Sequence, residues 1–264
     1  MIYLRDWWYS FRSGYVMCSG RHSSTVKIGN SFFVASGVPQ FEIGNDLIAL
    51  RGYLQFTKVN LGDTVFDIGA SAGITSMAFA KMVGPNGKVI ALEPDKTSFE
   101  KLKSNLRCNS VTNVLALPMG VWNKKDRVFF DSKGQSSQTG FGDDFINVTT
   151  IDNLTETYGK PNLVKMDIEG AELEALEGAK LTRGNGYTDW AIASYHIRDG
   201  ESTSSRCREF LNGWKYTGYP SHETTYGTHQ LHSEGVWMPI LLSFGIFAMV
   251  LLAVSLIFTV VQHP

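Results

Sequence analysis

Asp63-Thr64-Val65-Phe66-Asp67-Ile68-Gly69-Ala70-Ser71-Ala72-Gly73 is the stretch that decides how the rest of the chain is read. Thr64, Val65, Phe66 and Ile68 form a short apolar run suited to a buried strand of a parallel sheet. Gly69 and Gly73 let the backbone bend where a Cβ would clash. Ile74, Met77 and Ala78 recur at helical spacing, so a helix opens after Gly73. Strand, glycine turn and helix start together make a ligand cradle, expected to present free backbone N–H groups. Glu93 closes the next apolar run, Lys88-Val89-Ile90-Ala91-Leu92, where an acid meets the two hydroxyls of a ribose. A glycine turn alone fits any α/β domain; with Glu93 added, the pattern favours a ribose-bearing ligand.

Working outward, apolar runs and helical patterns alternate. Gly84-Pro85-Asn86-Gly87 ends the first helix, and Thr97 with Glu100 has capping-box spacing for the second, which carries Phe99, Leu102 and Leu106. Asn113–Leu117, Asn162–Asp167 and Trp190–Tyr195 read as further strands. The fold class is therefore α/β, a doubly wound and mostly parallel sheet covered on both faces. Before it, Thr25–Ile28 and Ser31–Val34 read as two strands joined by Gly29-Asn30. Asn45 or Asp46 is the expected cap of a helix running to about Val59, with Leu47, Leu50, Leu54 and Val59 inward. Gly120–Asn123 precedes a short strand over Arg127–Phe130, and Ser132–Gly142 reads as a mobile surface segment, either a gating loop or an insertion. Ser204–Leu211 reads as a helix, followed by a hairpin within Lys215–Leu231.

Asp167-Ile168-Glu169-Gly170-Ala171-Glu172 ends a buried strand and opens a helix. Carboxylates there face the crevice in which open α/β sheets bind ligands. Capping of a helix by its first-turn acids explains Glu172 but not Asp167, which precedes the turn. His196 stands at the exit of the following strand, where a group titrating near neutrality can take a proton. Asp167 and Glu169 offer the hard oxygens magnesium prefers, yet no full set of metal ligands is legible, so none is assigned.

A net charge of −1 over 264 residues gives no general attraction to nucleic acid. Cys18, Cys108 and Cys207 are scattered and odd in number, which favours thiols over a disulfide frame. The first fifteen residues mix Arg5, Asp6 and Arg12 among aromatics and lack the apolar core of a signal peptide. Residues 236–261 carry no charge. As a helix, 240–261 would span roughly 33 Å, enough to cross a bilayer, with Pro239 in its first turn and Trp237 at the interface. The expected organisation is an N-terminal strand and helix extension (1–59), a ligand-binding domain (60–233) and a membrane helix (236–261).

Taken together, Val65–Gly73 resembles the first motif of class I S-adenosylmethionine-dependent methyltransferases, and Ala91-Leu92-Glu93-Pro94-Asp95 their second, acidic motif. Thr149–Leu154 and Val164–Glu172 are similar to the signature pair of the FkbM family. Where that family has an acid two residues before its last histidine, this chain has Ser194. The resemblance implies a Rossmann-like sheet of the class I methyltransferase type, with S-adenosylmethionine as cofactor. It implies methylation of a hydroxyl on a sugar, glycolipid or other metabolite, the acceptor being a small molecule, a glycan or lipid-linked. Cofactor contacts fall on Asp67, Gly69, Ala70, Gly73, Glu93 and Pro94, with Asp67 orienting the turn or receiving the cofactor's amino group. Asp167 or His196 is the expected base, and Glu169 a substrate contact. A nicotinamide-dependent oxidoreductase would need Gly-x-Gly-x-x-Gly, which Gly69–Gly73 does not supply. A membrane-anchored protein that binds the cofactor without turnover is the other alternative.

Overall fold

The computed structural model describes residues 23–28, 31–36, 40–131, 138–139, 144–198, 200–211, 214–217 and 223–227. The charge-free run 236–261 lies outside them, as does most of Ser132–Gly142. Among the described residues no helix is long and apolar enough to cross a membrane.

In chain order, β1 (Ser23–Ile28), β2 (Ser31–Ser36) and α1 (Gln40–Tyr53) come first. They lead into β3 (Thr64–Ile68), α2 (Ile74–Val83), β4 (Lys88–Leu92), α3 (Lys96–Cys108) and β5 (Val114–Leu117). Next are β6 (Gly120–Val121), β7 (Asp126–Asp131), β8 (Gln138–Thr139), β9 (Asp144–Thr149) and α4 (Ile151–Tyr158). Then follow β10 (Leu163–Met166), α5 (Glu172–Glu177), α6 (Lys180–Gly184) and β11 (Asp189–Ala193). The last are β12 (Ile197–Arg198), β13 (Glu201–Ser202), α7 (Ser204–Leu211), β14 (Trp214–Thr217) and β15 (Glu223–Gly227).

A seven-stranded sheet runs β14-β15-β11-β10-β3-β4-β5. β11, β10, β3, β4 and β5 are parallel, while β15 runs antiparallel to both of its neighbours. Strand order reverses between β3 and β10, so a crevice opens at their C-terminal ends, where open α/β sheets take ligands. β10 and β11 are buried throughout, as are all but the first residues of β3 and β4. That is why these strands appear in the sequence as mostly apolar runs, interrupted by the buried Asp67, Lys165 and Asp189.

Side chains alternate between two cores. Val65, Val89 and Leu163 pack with Leu50, Tyr53, Met77, Phe79 and Leu102 on one face of the sheet. Phe66, Ile68, Ile90, Val164 and Met166 pack with Ile151, Leu154, Leu173 and Leu176 on the other. The front segment joins the first core directly. Leu47, Leu50 and Tyr53 of α1 are buried in it, and the Tyr226 hydroxyl of β15 donates to the Gly52 carbonyl.

Several local expectations are corrected. α1 begins at Gln40, so Asn45 and Asp46 lie inside it rather than capping it, and it ends at Tyr53 rather than near Val59. α3 is capped by Asp95, whose Oδ1 accepts from the Ser98 N–H at 2.8 Å, and not by Thr97. β9 was not expected; it forms a small second sheet, pairing antiparallel with β7 and parallel with β6. The terminal hairpin is present, built from β14 and β15.

Candidate active site

Gly69 and Gly73 both adopt left-handed φ values, 79° and 87°. A Cβ on Gly69 would fall 1.8 Å from the carbonyl oxygen of Asp167, so the β3 turn and the β10 exit touch backbone to backbone. A Cβ on Gly73 would meet Leu102 of α3 at 2.4 Å. Four of the turn's N–H groups are engaged within the protein. Gly69 and Ala70 donate to the Leu92 carbonyl, Ser71 to Glu93 Oε2 and Gly73 to the Ala70 carbonyl. The turn is therefore partly braced by its own hydrogen bonds, and side chains around it add to its recognition chemistry.

Glu93 is one of these. It is 7% exposed at the end of β4, and its Oε2 and Oε1 accept from the N–H groups of Ser71 and Asp95 at 2.7 and 2.8 Å. A carboxylate has about four acceptor positions, so two remain for a diol. Burial pushes its pKa up to about 7, against the pull of those two N–H donors. Pro94 separates Glu93 from the Asp95 cap and is half-buried. Glu93 thus bridges the two motifs picked out from sequence, and the donor set suits a ribose.

Asp67 lies deeper. It is fully buried; its Oδ2 accepts from the hydroxyls of Thr75 (2.8 Å) and Ser76 (2.6 Å), and its Oδ1 pairs with Lys165 Nζ at 3.0 Å. Its link to the turn runs through Lys165 rather than through a direct contact. Lys165, 3% exposed, also donates to the Gly69 carbonyl at 2.8 Å. Burial alone would lower the lysine pKa, but the charges of Asp67 and Asp167 raise it, so it stays charged. Asn105 of α3, fully buried, holds the Ala72 carbonyl at 2.9 Å.

Asp167, Glu169 and His196 do come together at the crevice edge. His196 Nε2 is 3.4 Å from Glu169 Oε2 and 3.6 Å from Asp167 Oδ1. On its other side, His196 Nδ1 donates to Glu172 Oε1 at 2.7 Å. Glu172 is fully buried and also accepts the Gly170 N–H, so helix capping is only half of its role. Burial works against the imidazolium, but the hydrogen bond to Glu172 and the surrounding carboxylates push the His196 pKa up to about 9. Burial pushes Glu169 up to about 7. Glu169 holds a left-handed φ of 55°, a strained conformation for a residue with a side chain. The Tyr53 hydroxyl at the end of α1 donates to Asp167 Oδ2 at 2.9 Å, so the front segment reaches the site. Ser194, which replaces the family's acid, pairs with Thr225 Oγ1 at 2.8 Å in the sheet.

Tyr53, Lys165 and the inward role of Glu172 were missed from sequence. Tyr53 continues the Leu47 and Leu50 stripe at helical spacing, and a tyrosine on an apolar stripe is a signal that its hydroxyl finds a buried partner. Lys165 interrupts an otherwise apolar strand, which is the corresponding signal for a buried cation.

Sheet order, glycine turn and acidic second motif define a Rossmann-like domain of the class I methyltransferase type. Residues 67–205 match the methyltransferase FkbM domain, and the chain belongs to that family. It is 28% identical over 141 residues to the hexuronic acid methyltransferase AglP of Haloferax volcanii, a match covering 51% of this chain and 56% of that one. The structure of an FkbM methyltransferase from Methylobacillus flagellatus KT superposes with a TM-score of 0.53 at 21% identity, over 67% of this chain and 47% of that one. The matched region thus spans about half the length of each relative.

Proposed function

We propose that the chain is an S-adenosylmethionine-dependent O-methyltransferase acting on a hydroxyl of a sugar or glycan. The observation that carries this is the contact of Gly69 with the Asp167 carbonyl. A turn gripped by Glu93 thus lies directly against the strand end that bears Asp167 and Glu169, which His196 meets from the exit of β11. The sugar class is suggested by the relative from Haloferax volcanii, whose name specifies a hexuronic acid.

When bound, S-adenosylmethionine supplies a methyl group activated by a positive sulfur; transfer forms an O–CH3 bond on the acceptor while the S–CH3 electron pair returns to sulfur. The residues divide the remaining work. Glu93 holds the ribose hydroxyls. Asp67 and Lys165 fix the turn from beneath, with Lys165 holding the Gly69 carbonyl. The acceptor hydroxyl, placed at the Asp167, Glu169 and His196 cluster, passes its proton to the Asp167 carboxylate, because His196, its pKa raised to about 9, already holds one near neutrality. Positioning of this kind contributes much of the acceleration in a direct displacement.

Glu93→Gln is expected to weaken cofactor binding about 10- to 150-fold in calorimetry, the equivalent of losing charge-assisted bonds of roughly 1.5–3 kcal/mol. Ribose hydroxyls favour the ionised carboxylate, and burial holds Glu93 near pH 7. Affinity should therefore rise from pH 6 to 8 and level off, while Glu93→Gln shows no such rise. Stability of the ligand-free protein should run the opposite way. Because the folded pKa is raised, the contribution of Glu93 is present in acid and is lost as pH climbs through 7. Wild-type affinity in Glu93→Gln would remove the residue from the cofactor site.

The charge-free run 236–261 supports a second part of the proposal, a membrane anchor that keeps the domain close to a lipid-linked acceptor, with the domain on the cytoplasmic side. Washed membranes and the soluble fraction of cells making the chain can be incubated with cofactor carrying a labelled methyl group. Label is expected in glycan or glycolipid, in the membrane fraction. Cofactor binding without label in any fraction would mean a binding protein without turnover. Recovery of the chain in the soluble fraction alone would remove the anchor.

A further inference from the structure

We propose that Asp167, Glu169 and His196 form a divalent-cation site with one nitrogen and two carboxylate ligands. One ligand atom from each residue lies within 4.8 Å of the other two. Nε2 of His196 stands 3.4 and 3.6 Å from the two carboxylate oxygens. Donors about 2.1 Å from one ion are roughly 3.0–3.4 Å apart in octahedral or tetrahedral geometry, and the two separations from the histidine lie close to that spacing.

The independent observation is the state of the histidine. His196 is only 8% exposed, and its Nε2 hydrogen-bonds to nothing; nor does Asp167 Oδ1. Buried polar atoms are normally satisfied, and a pair of them facing one another marks a missing partner. The surroundings aim these atoms inward. Glu172 holds Nδ1 at 2.7 Å, the arrangement that fixes a metal-binding imidazole with its other nitrogen turned toward the ion. Tyr53 occupies Asp167 Oδ2 and leaves Oδ1 for the cluster. The left-handed backbone at Glu169 is a strain that a bound ion would repay in binding energy.

Charge balance agrees. Three carboxylates, Asp167, Glu169 and Glu172, surround one imidazole; of the nearby cations, Lys165 is paired with Asp67 and acts on Asp167 only through its charge, and Arg198 pairs with Glu174 at 2.6 Å. Hard carboxylate oxygens with one imidazole suit Mg2+ or Mn2+. Three protein ligands leave coordination positions for water and for the acceptor. Coordinated there, an acceptor hydroxyl releases its proton to solvent water more readily, and its oxygen is held for attack. This use of the ion rests on the transferase reading; the binding of the ion does not.

The test reads binding. The full chain, stripped with chelator and dialysed, is titrated with MnCl2 without cofactor, by calorimetry and by electron paramagnetic resonance of free Mn2+. One Mn2+ per chain is expected. Glu169→Gln should weaken it at least tenfold, and so should His196→Ala, whereas Glu100→Gln on the surface of α3 should not change it. Glu169 is half-exposed, so its variant keeps the fold, which circular dichroism verifies. No Mn2+ bound at millimolar concentration, or binding indifferent to both site variants, overturns the proposal. Mn2+ binding without methyl transfer to any acceptor would sink the transferase reading and leave the ion site standing. Full transfer in chelator with no Mn2+ bound would do the reverse.

Discussion

Lys165→Met is expected to destabilise the protein by about 3–5 kcal/mol, the cost of leaving a buried carboxylate without its partner. Asp67 has no exposed surface and Lys165 has 3%, so water cannot replace the lost ammonium. Thr75 and Ser76 would still donate to Asp67, but hydroxyls do not neutralise a charge. The same substitution removes the donor to the Gly69 carbonyl, so cofactor affinity should fall with stability. Urea denaturation measures the first effect and calorimetry the second. Adding Asp67→Asn to Lys165→Met should recover much of the lost stability, because the double variant buries no net charge. It should not recover affinity, since the Gly69 carbonyl remains without its lysine. A single Lys165→Met variant within 1 kcal/mol of wild type would show that this pair contributes no net stability.

Gly69→Ala should be the most damaging single methyl in the domain. Two separate costs meet there. A left-handed φ of 79° costs an alanine about 1–2 kcal/mol. The added Cβ would also sit 1.8 Å from the Asp167 carbonyl oxygen and 2.9 Å from its carbon, and a backbone cannot swing aside as a side chain can. A total above about 4 kcal/mol is expected, which for a domain of this size lowers Tm by on the order of 10 °C. Gly170→Ala separates the two costs. Its φ is also positive, 103°, but nothing lies within 4 Å of the new Cβ. It should lose only the dihedral part. Equal losses at the two positions would mean that the close approach of β3 and β10 carries no weight.

Much of the sheet was legible because its central strands are buried on both faces and so are largely apolar, Asp67 and Lys165 excepted. Glu93 was legible for a related reason: a carboxylate closing such a run needs partners, and here they are two backbone N–H groups. The bend at the turn was legible from its glycines, but not that Gly69 and Ala70 donate to the Leu92 carbonyl, a bond that sequence spacing does not report. β9 escaped notice because its partners β6 and β7 lie earlier in the chain, on the far side of Ser132–Gly142. Tyr53 and Lys165 escaped for another reason: each acts at a residue more than ninety positions away. Periodicity describes what a residue's own element does and is silent on such distances. His196 was found by its place at a strand exit, yet the carboxylate behind it, Glu172, was read only as a helix cap.

β15 is the last strand in chain order among the described residues, yet it lies inside the sheet, between β14 and β11. Until it emerges, β11 has a bare margin and the hydroxyl that reaches Gly52 is missing. Synthesis from the N-terminus therefore delivers the cofactor turn well before the sheet beneath it can be completed. A stop codon before Glu223 would release a chain with every residue of the proposed site and an unpaired edge, a species suited to capture by chaperones or to pairing with another copy of itself.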